Sequence, residues 1–510
     1  MARSNDNTQK KAIRLSIVRT IRQKGTLFQR SKREEKQRIL QQVAAGHLDD
    51  LSDESQFEHA FTGKSLTGVE ELSPDVMTLQ EMEKFIENHQ KLVLRFETPA
   101  RRRAIGDPFL QKLDRLLDDE IIDALLAPST FCRGKRKWLP SQLLRLELLR
   151  SYRFSEWSVR EFSRYIASVH RREERAFCRL PLNSSTMCDH SVMSRFRSSL
   201  TMEMRINLSV YFLHFFLKSG HLGDRRMFMV DSTDVAIPIN DTPIFKIKAA
   251  DGSDIRFYSD LDADAGARRR KRDKSRKFVG YRVHTITVGD MDRGIAYPVV
   301  SLTAAASHND SLLLEPLIEI VQAMGLTMNV LSADKAYVNS SRTVRLKKEC
   351  DMLTVTPPVG NAVIPENVNH QTGAVFMNSD CNTPMRWCGF DEEDDMHVFK
   401  CDGDHDCLNS PACSRERLLK MDTGLFGAVP RCSKYHGAPL FHRRIAERPF
   451  NLMKHKDGLE PCRMKTHRTV AAQVVFCQIV GLTHVMAGLR ANGIRPESNK
   501  QEVLPLANAN

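Results

Sequence analysis

The sequence predicts an α/β protein in which a helical region precedes a core built on a mixed sheet. Three observations carry that expectation. Between Phe109 and Leu217 apolar residues recur three and four apart. From Met227 onward they alternate, or run together over strand lengths. Two of those runs, Met227-Phe228-Met229-Val230 and Val330-Leu331-Ser332-Ala333, each end on an aspartate.

Taken in order, residues 1 to 50 are basic and carry Ile13, Ile17, Ile21, Ile39 and Val43 at helical spacing, with Lys10, Lys11, Arg14, Arg19, Arg22 and Lys24 among them. Such a segment is either a solvated arm or a contact to a nucleic-acid backbone. Residues 50 to 100 are more acidic and are broken by Gly63, Gly68 and Pro74, so 1–105 reads as an arm and connector. In the helical region, 106–220, Pro140 suits a first helical turn before Leu143, Leu144 and Leu146, and Ser158 with Glu161 has capping-box spacing. Asp189-His190-Ser191 opens a further helix through Val192, Met193, Phe196 and Leu200, with His190 as a capping or buried polar residue. Arg195 and Arg197 project from it, either as contacts of a helix-turn-helix or as a solvated face.

Strands then follow at 226–239, Tyr281 to Val288 and Ile295 to Leu302. Asp310 caps a helix stopped by Gly325, a fourth strand runs from Met328 to Ala333, a short basic helix starts near Ser340, and Met352 to Thr356 is a fifth strand. Residues 359–440 form an insertion. Val470 to Leu489 is an apolar helix that should pack on the sheet, and 496–510 is a disordered tail. Three strands, helix, strand, helix, strand and a last helix is the order of an RNase H-like fold, assembled from 221–358 and 441–495.

The chemistry centres on Asp231 and Asp334, at the ends of two buried runs, and on Glu447, in a stretch of helical spacing that puts Arg443 one turn before it and Lys454 seven residues after. A phosphodiester is anionic and repels its nucleophile. Two divalent ions about 4 Å apart answer that by activating the attacking oxygen and stabilising the leaving one. Magnesium and manganese take hard oxygen ligands, so Asp231, Asp334 and Glu447 form a sufficient protein set for two Mg2+ or Mn2+ ions. Asp234, Asp290, Asp292 and Asp310 compete from poorer contexts: Asp290 and Asp292 fall in a turn, and Asp310 reads as a cap.

A net charge of +13 over 510 residues favours a polyanionic partner. No apolar run reaches the roughly 18 residues of a membrane span, and the basic N-terminus has no secretory core, so a cytoplasmic, nucleoid-associated protein is expected, with its 12 cysteines reduced or partly metal-bound.

The residues just named resemble the DDE transposases of bacterial insertion sequences, in the cut-and-paste group whose C-terminal signature is Tyr, two residues, Arg, three residues, Glu, six residues, Lys. Arg443, Glu447 and Lys454 match its last three positions, and Leu440 stands where the family has tyrosine. Asp231-Ser232-Thr233, Asp334-Lys335-Ala336-Tyr337, Gly280-Tyr281-Arg282-Val283-His284 and Ser194-Arg195-Phe196-Arg197 are further matches, and the similarity covers about 110 to 490. The resemblance implies metal-dependent cleavage at the element's terminal inverted repeats, followed by attack of the freed 3′-hydroxyls on target DNA. It also implies a homodimer on double-stranded DNA, with Arg443 and Lys454 on terminal phosphates. A domesticated relative that only binds DNA, and a nuclease without strand transfer, are the alternatives.

Two segments add to this. The basic run Arg268-Arg269-Arg270-Lys271-Arg272, continued by Lys274, Arg276 and Lys277, follows Asp260-Leu261-Asp262-Ala263 and reads as a DNA-contacting loop. In the insertion, Cys381, Cys388, Cys401, Cys407, Cys413 and Cys432, with His397, His405 and His436, could close a structural Zn2+ site, although no Cys-x-x-Cys knuckle is present and no ligands are assigned.

Overall fold

The structure, a computed structural model, describes residues 76–90, 103–127, 138–218 and 226–491. The last range has omissions at 249–253, 271–272, 291–294, 309, 338–339, 358–362, 380, 392, 402–414, 421–426, 434, 438, 440–442, 456 and 461. The basic arm, the C-terminal tail, Lys271, Arg272, Asp292, His405, Cys407, Cys413 and Leu440 therefore lie outside the described residues.

Eight helices come first among the described residues: α1 (Leu79–Gln90), α2 (Pro108–Leu116), α3 (Asp119–Leu125), α4 (Pro140–Arg153), α5 (Val159–Ala167), α6 (Arg172–Phe177), α7 (His190–Ser199) and α8 (Met202–Lys218). Their starts follow local chemistry. Asp107 accepts from the amides of Phe109 and Leu110 ahead of Pro108, and Pro140 occupies the first turn of α4. Ser158 and Glu161 close the reciprocal capping box their spacing predicted, while Asp189 caps α7 by accepting from Ser191.

The sheet uses β1 (Arg226–Ala236), β4 (Asp264–Arg270), β5 (Asp273–Asp290), β6 (Ile295–Ala305), β7 (Val330–Ala333) and β8 (Leu353–Val355), while β2 (Phe245–Lys248) and β3 (Asp254–Phe257) form a separate hairpin. Strands β6, β5 and β1 are antiparallel neighbours, and β1, β7 and β8 are parallel, giving a mixed sheet. Between β6 and β7 lie a 3₁₀ turn, Asp310–Leu313, and α9 (Leu314–Ala323); α10 (Ser340–Cys350) joins β7 to β8. Gly325 ends α9 with φ +79°, a conformation that glycine adopts without the cost of a Cβ. At Gly280 the backbones crowd: a Cβ there would stand 2.1 Å from the Val235 carbonyl oxygen.

One expectation changes here. On either side of residues 271–272 the basic run is strand and not loop: β4 pairs with β5, with Ala267 opposite Lys277, Arg268 opposite Arg276 and a bulge before the Arg270–Asp273 step. The insertion also has structure of its own: β9 (Arg386–Asp391), β10 (Met396–Lys400) and β11 (Glu416–Lys420) form an antiparallel sheet over Val375, Met385 and Phe399.

Last come a 3₁₀ turn, Arg443–Ala446, then α11 (Glu447–His455) and α12 (His467–Ala491). Helix α12 is long and apolar enough to cross a membrane, but 83% of that stretch is buried within the protein. It packs on β6 and also on α2, α4, α7, α8 and α11. One apolar core therefore runs from Met82 and Leu110 through Leu144 and Phe212 to Ile286, Leu331 and Phe476. Each large aliphatic or aromatic side chain so buried contributes roughly 1.5–3 kcal/mol before conformational entropy is set against it.

Candidate active site

The parallel register sets the site. Phe228 pairs with Leu331, Met229 with Ser332 and Val230 with Ala333, and there the ladder stops; the next residue on each strand is Asp231 and Asp334. Both carboxylates thus emerge together at the carboxyl ends of adjacent parallel strands, where open sheets collect ligands. Asp231 ends the apolar run but not the strand: β1 runs on to Ala236 against β5, and what ends at Val230 is its parallel pairing with β7.

The third carboxylate arrives from a different element. Alternation along β1 puts Met227, Met229 and Asp231 on one face. Ala446, fully buried, packs on Met227 and Met229, and Glu447 is the next residue, exposed in the first turn of α11. Phe450 and Met453, one and two turns on, bury against Val235, Tyr281 and Val283 of the sheet. A short apolar contact on each side thereby holds Glu447 over the strand ends.

The electrostatics agree with this geometry. Burial pushes the Asp231 carboxyl up to about 6, and Asp334 and Glu447 push in the same direction, while the Ser232 amide and Arg443 oppose them. The Asp231 carboxylate accepts from Ser232 N at 2.8 Å, and Asp334 accepts from Lys335 N at 2.7 Å. Arg443 Nη1 lies 3.8 Å from Asp334 Oδ2, so its guanidinium is the cation beside the carboxylates.

Competing acids are spent elsewhere. Arg282 donates to Asp234 at 3.2 Å and to Asp310 at 2.9 Å, so Asp310 serves as an ion-pair partner at the start of its 3₁₀ turn. Asp260 accepts from Tyr281 Oη and from the Thr466 amide, and Asp262 from the His467 amide, which ties their loop to the start of α12.

Behind Asp231 stands a group the sequence did not single out by role. Tyr337, buried in the turn after Asp334, bonds His284 Nδ1 at 2.9 Å and has the Ser232 hydroxyl beside it. His284 lies opposite Ser232 in the β1/β5 register, and burial drives its pKa down to about 3, so its ring is neutral. The signal was present in the motifs, since Ser232 follows Asp231 and Tyr337 comes three residues after Asp334, but only the register brings these three together.

The remaining candidates divide. Lys454 sits two turns beyond Glu447 but is only 9% exposed and pairs with Glu460 at 3.3 Å. Arg195 is exposed, its Nε directed at Ser191 O. Arg197 does not project from α7. It is 1% exposed, with Nη2 on Glu147 at 2.5 Å and Nη1 against Met464 Sδ at 2.8 Å, because α12 and the segment before it cover that face of the helix. Of the basic run, Arg268, Arg269 and Arg270 lie on the β4 backbone. His190 is half exposed, 3.3 Å from Asp189 at the start of α7.

As a metal site, the three carboxylates offer hard oxygen donors and concentrated negative charge that Arg443 offsets only in part. Among the described residues no three Asp, Glu, His or Cys side chains close on a single point. The set therefore fits ions held by carboxylates in pairs, with Asp231 central, rather than one ion in a protein cage. The same holds for the insertion, where the described cysteines and histidines gather no such trio, and His397 Nε2 bonds the Gly427 carbonyl at 2.8 Å.

No family model matches the chain, and no curated protein matches it. Among solved structures it is similar to the piggyBac transposase in its synaptic complex with hairpin DNA, at 12% identity and a TM-score of 0.33, with 79% of each chain covered.

Proposed function

We propose that this protein is a DDE-type transposase: it cleaves double-stranded DNA at the inverted repeats ending a bacterial insertion sequence and joins the freed ends to target DNA. The observation that carries this reading is the parallel β1/β7 register, which brings Asp231 and Asp334 out together beneath Glu447. The strand order β6-β5-β1-β7-β8 supports an RNase H-like core, since it combines three antiparallel strands with two parallel ones and delivers acids at their shared edge.

In this mechanism Asp231, Asp334 and Glu447 would hold two Mg2+ or Mn2+ ions. When bound, those ions would activate the attacking oxygen and neutralise charge on the phosphodiester. The protein's own part is positional. Asp231, partly buried, is fixed by the Ser232 amide, and Ala446 seats Glu447 on the sheet. Arg443, within reach of Asp334, is placed to take a non-bridging phosphate oxygen as DNA enters. Water attacks in the first in-line step and the released 3′-hydroxyl in the second, so one site serves both displacements. Two ends cut in concert call for a homodimer on DNA, acting in the cytoplasm at the nucleoid.

The test is an assay with Mg2+ and DNA carrying the repeats that flank the protein's own gene. Cleavage followed by joining is the expected result. Cleavage alone would make the protein a nuclease, and binding alone an inactive DNA-binding relative. Neither outcome is compatible with the proposal.

A further inference from the structure

The burial of Arg197 has a counterpart on the outside of the protein. Helix α7 turns Met193, Phe196 and Arg197 inward and leaves Ser194, Arg195 and Ser198 exposed. Helix α5 packs beside it, with Ser163 Oγ 3.8 Å from Met193 Sδ, buries Phe162 and Ile166, and exposes Arg160 and Arg164 one turn apart. Inside, the Arg197 guanidinium grips Met464, which is 8% exposed. The two neighbours of Met464, Arg463 and Lys465, are both exposed. Arg468, at the start of α12, donates to the Ser198 carbonyl at 2.9 Å and fastens this segment to the end of α7.

Arg160, Arg164, Arg195, Arg463 and Lys465 thus stand on elements bound to one another, and among the described residues none of the five forms an ion pair. Glu161, the acid between Arg160 and Arg164, is engaged in its capping box. Its carboxyl is held low first by hydrogen bonds with Ser158, with Arg463 and Arg164 adding to the effect. Glu161 offsets part of the positive charge on these elements, and the remainder suits a polyanion, which releases its own counterions on binding. The segment carrying Arg463 and Lys465 lies in the chain between α11, which begins with Glu447, and α12.

We propose that this face of α5, α7 and the 463–465 segment is a second DNA-contact surface, which grips the phosphate backbone of duplex outside the cleavage site without reading its sequence. The identity of the ligand rests on the transposase reading, but the surface makes its own prediction and does not need cleavage. Arg197 is then a positioning residue that displays Arg463 and Lys465 by anchoring Met464.

The experiment uses the full chain, a short random-sequence duplex and chelator in place of metal, with affinity followed from about 50 to about 200 mM salt. In the variant Arg160→Gln, Arg164→Gln, Arg463→Gln, Lys465→Gln, the slope of log affinity against log salt should flatten by about 3 to 4, since each lost phosphate contact removes about 0.9. Lysine at the three arginine positions should keep the slope. Should the fourfold variant fail to fold, Arg463→Gln and Lys465→Gln singly should each flatten it by about 1. A slope and affinity equal to wild type would overturn the proposal even where the protein cleaves DNA. A flattened slope in a protein that never cleaves would leave this surface standing and remove the transposase reading.

Discussion

Asp231 and Asp334 leave the parallel β1/β7 ladder at the same step, because each follows a member of its last pair, Val230 and Ala333. That relationship separates them from nearby acids such as Asp234 and Asp310, which Arg282 neutralises. Asp231→Asn, Asp334→Asn and Glu447→Gln should each lower Mg2+-dependent cleavage by about 10³-fold, roughly 4 kcal/mol of barrier. Stability should move the other way for Asp231→Asn. Burial raises its pKa to about 6, above the unfolded value, so ionising it weakens the fold between those two values and at every higher pH. With chelator present, the variant should melt above wild type at pH 7.5, and the gain should vanish as pH falls toward 4. Normal cleavage in any of the three variants would remove that residue from the site.

Tyr337 links the turn after Asp334 to the strand carrying Asp231, through Ser232 and His284. Tyr337→Phe keeps the ring and removes the hydroxyl, leaving His284 Nδ1 buried without its partner, at a cost of about 1–3 kcal/mol. Unfolding by urea should report that loss. Because the two aspartates would no longer be tied from behind, cleavage should fall further with Mg2+ than with Mn2+, which tolerates looser ligand geometry. Equal loss with both ions would reduce Tyr337 to a packing residue.

The acids and most strands were legible because each depends on local pattern: an apolar run ending in Asp, alternation from Tyr281, a cap at Ser158. The sides of α7 were not. Arg195 and Arg197 are two apart on the helix and chemically identical, and what distinguishes them is Glu147 and Met464, 50 and 267 residues away in sequence. Nor could composition show that the basic run is paired strand on either side of residues 271–272, since a run of like charge reads as solvated chain and only the ladder with β5 decides otherwise.

That distinction is itself testable. Arg197→Ala takes from buried Glu147 its closer partner, leaving the 3.4 Å contact with Arg150, and empties a packed site against Met464, so it should cost about 2–3 kcal/mol. Arg195→Ala touches only exposed surface and should stay within about 0.5 kcal/mol of wild type. Thermal melting of the two purified variants decides it, and an unperturbed Arg197→Ala would mean that the Glu147 pair contributes nothing net.

Four of the five buried histidines, those shifted furthest, predict how the fold responds to acid; burial lowers the fifth, His214, in the same direction. Burial lowers His284 to about 3 and His397, His436 and His467 each to about 4, against 6.5 for an exposed imidazole. Below pH 6.5 the unfolded chain takes up four protons that the folded one refuses, so stability is full above that pH and falls as pH drops toward 4. Each histidine contributes up to about 1.4 kcal/mol per pH unit, and the four together about 5. Asp231, shifted the opposite way, offsets part of this below pH 6. Urea unfolding at pH 7.5, 6 and 5 should show a steepening loss, and His397→Gln, remote from the carboxylates on β10, should reduce the slope by about a quarter if the variant folds. A stability that stays level from pH 6.5 to 5 would mean these imidazoles reach water and protonate within the folded protein.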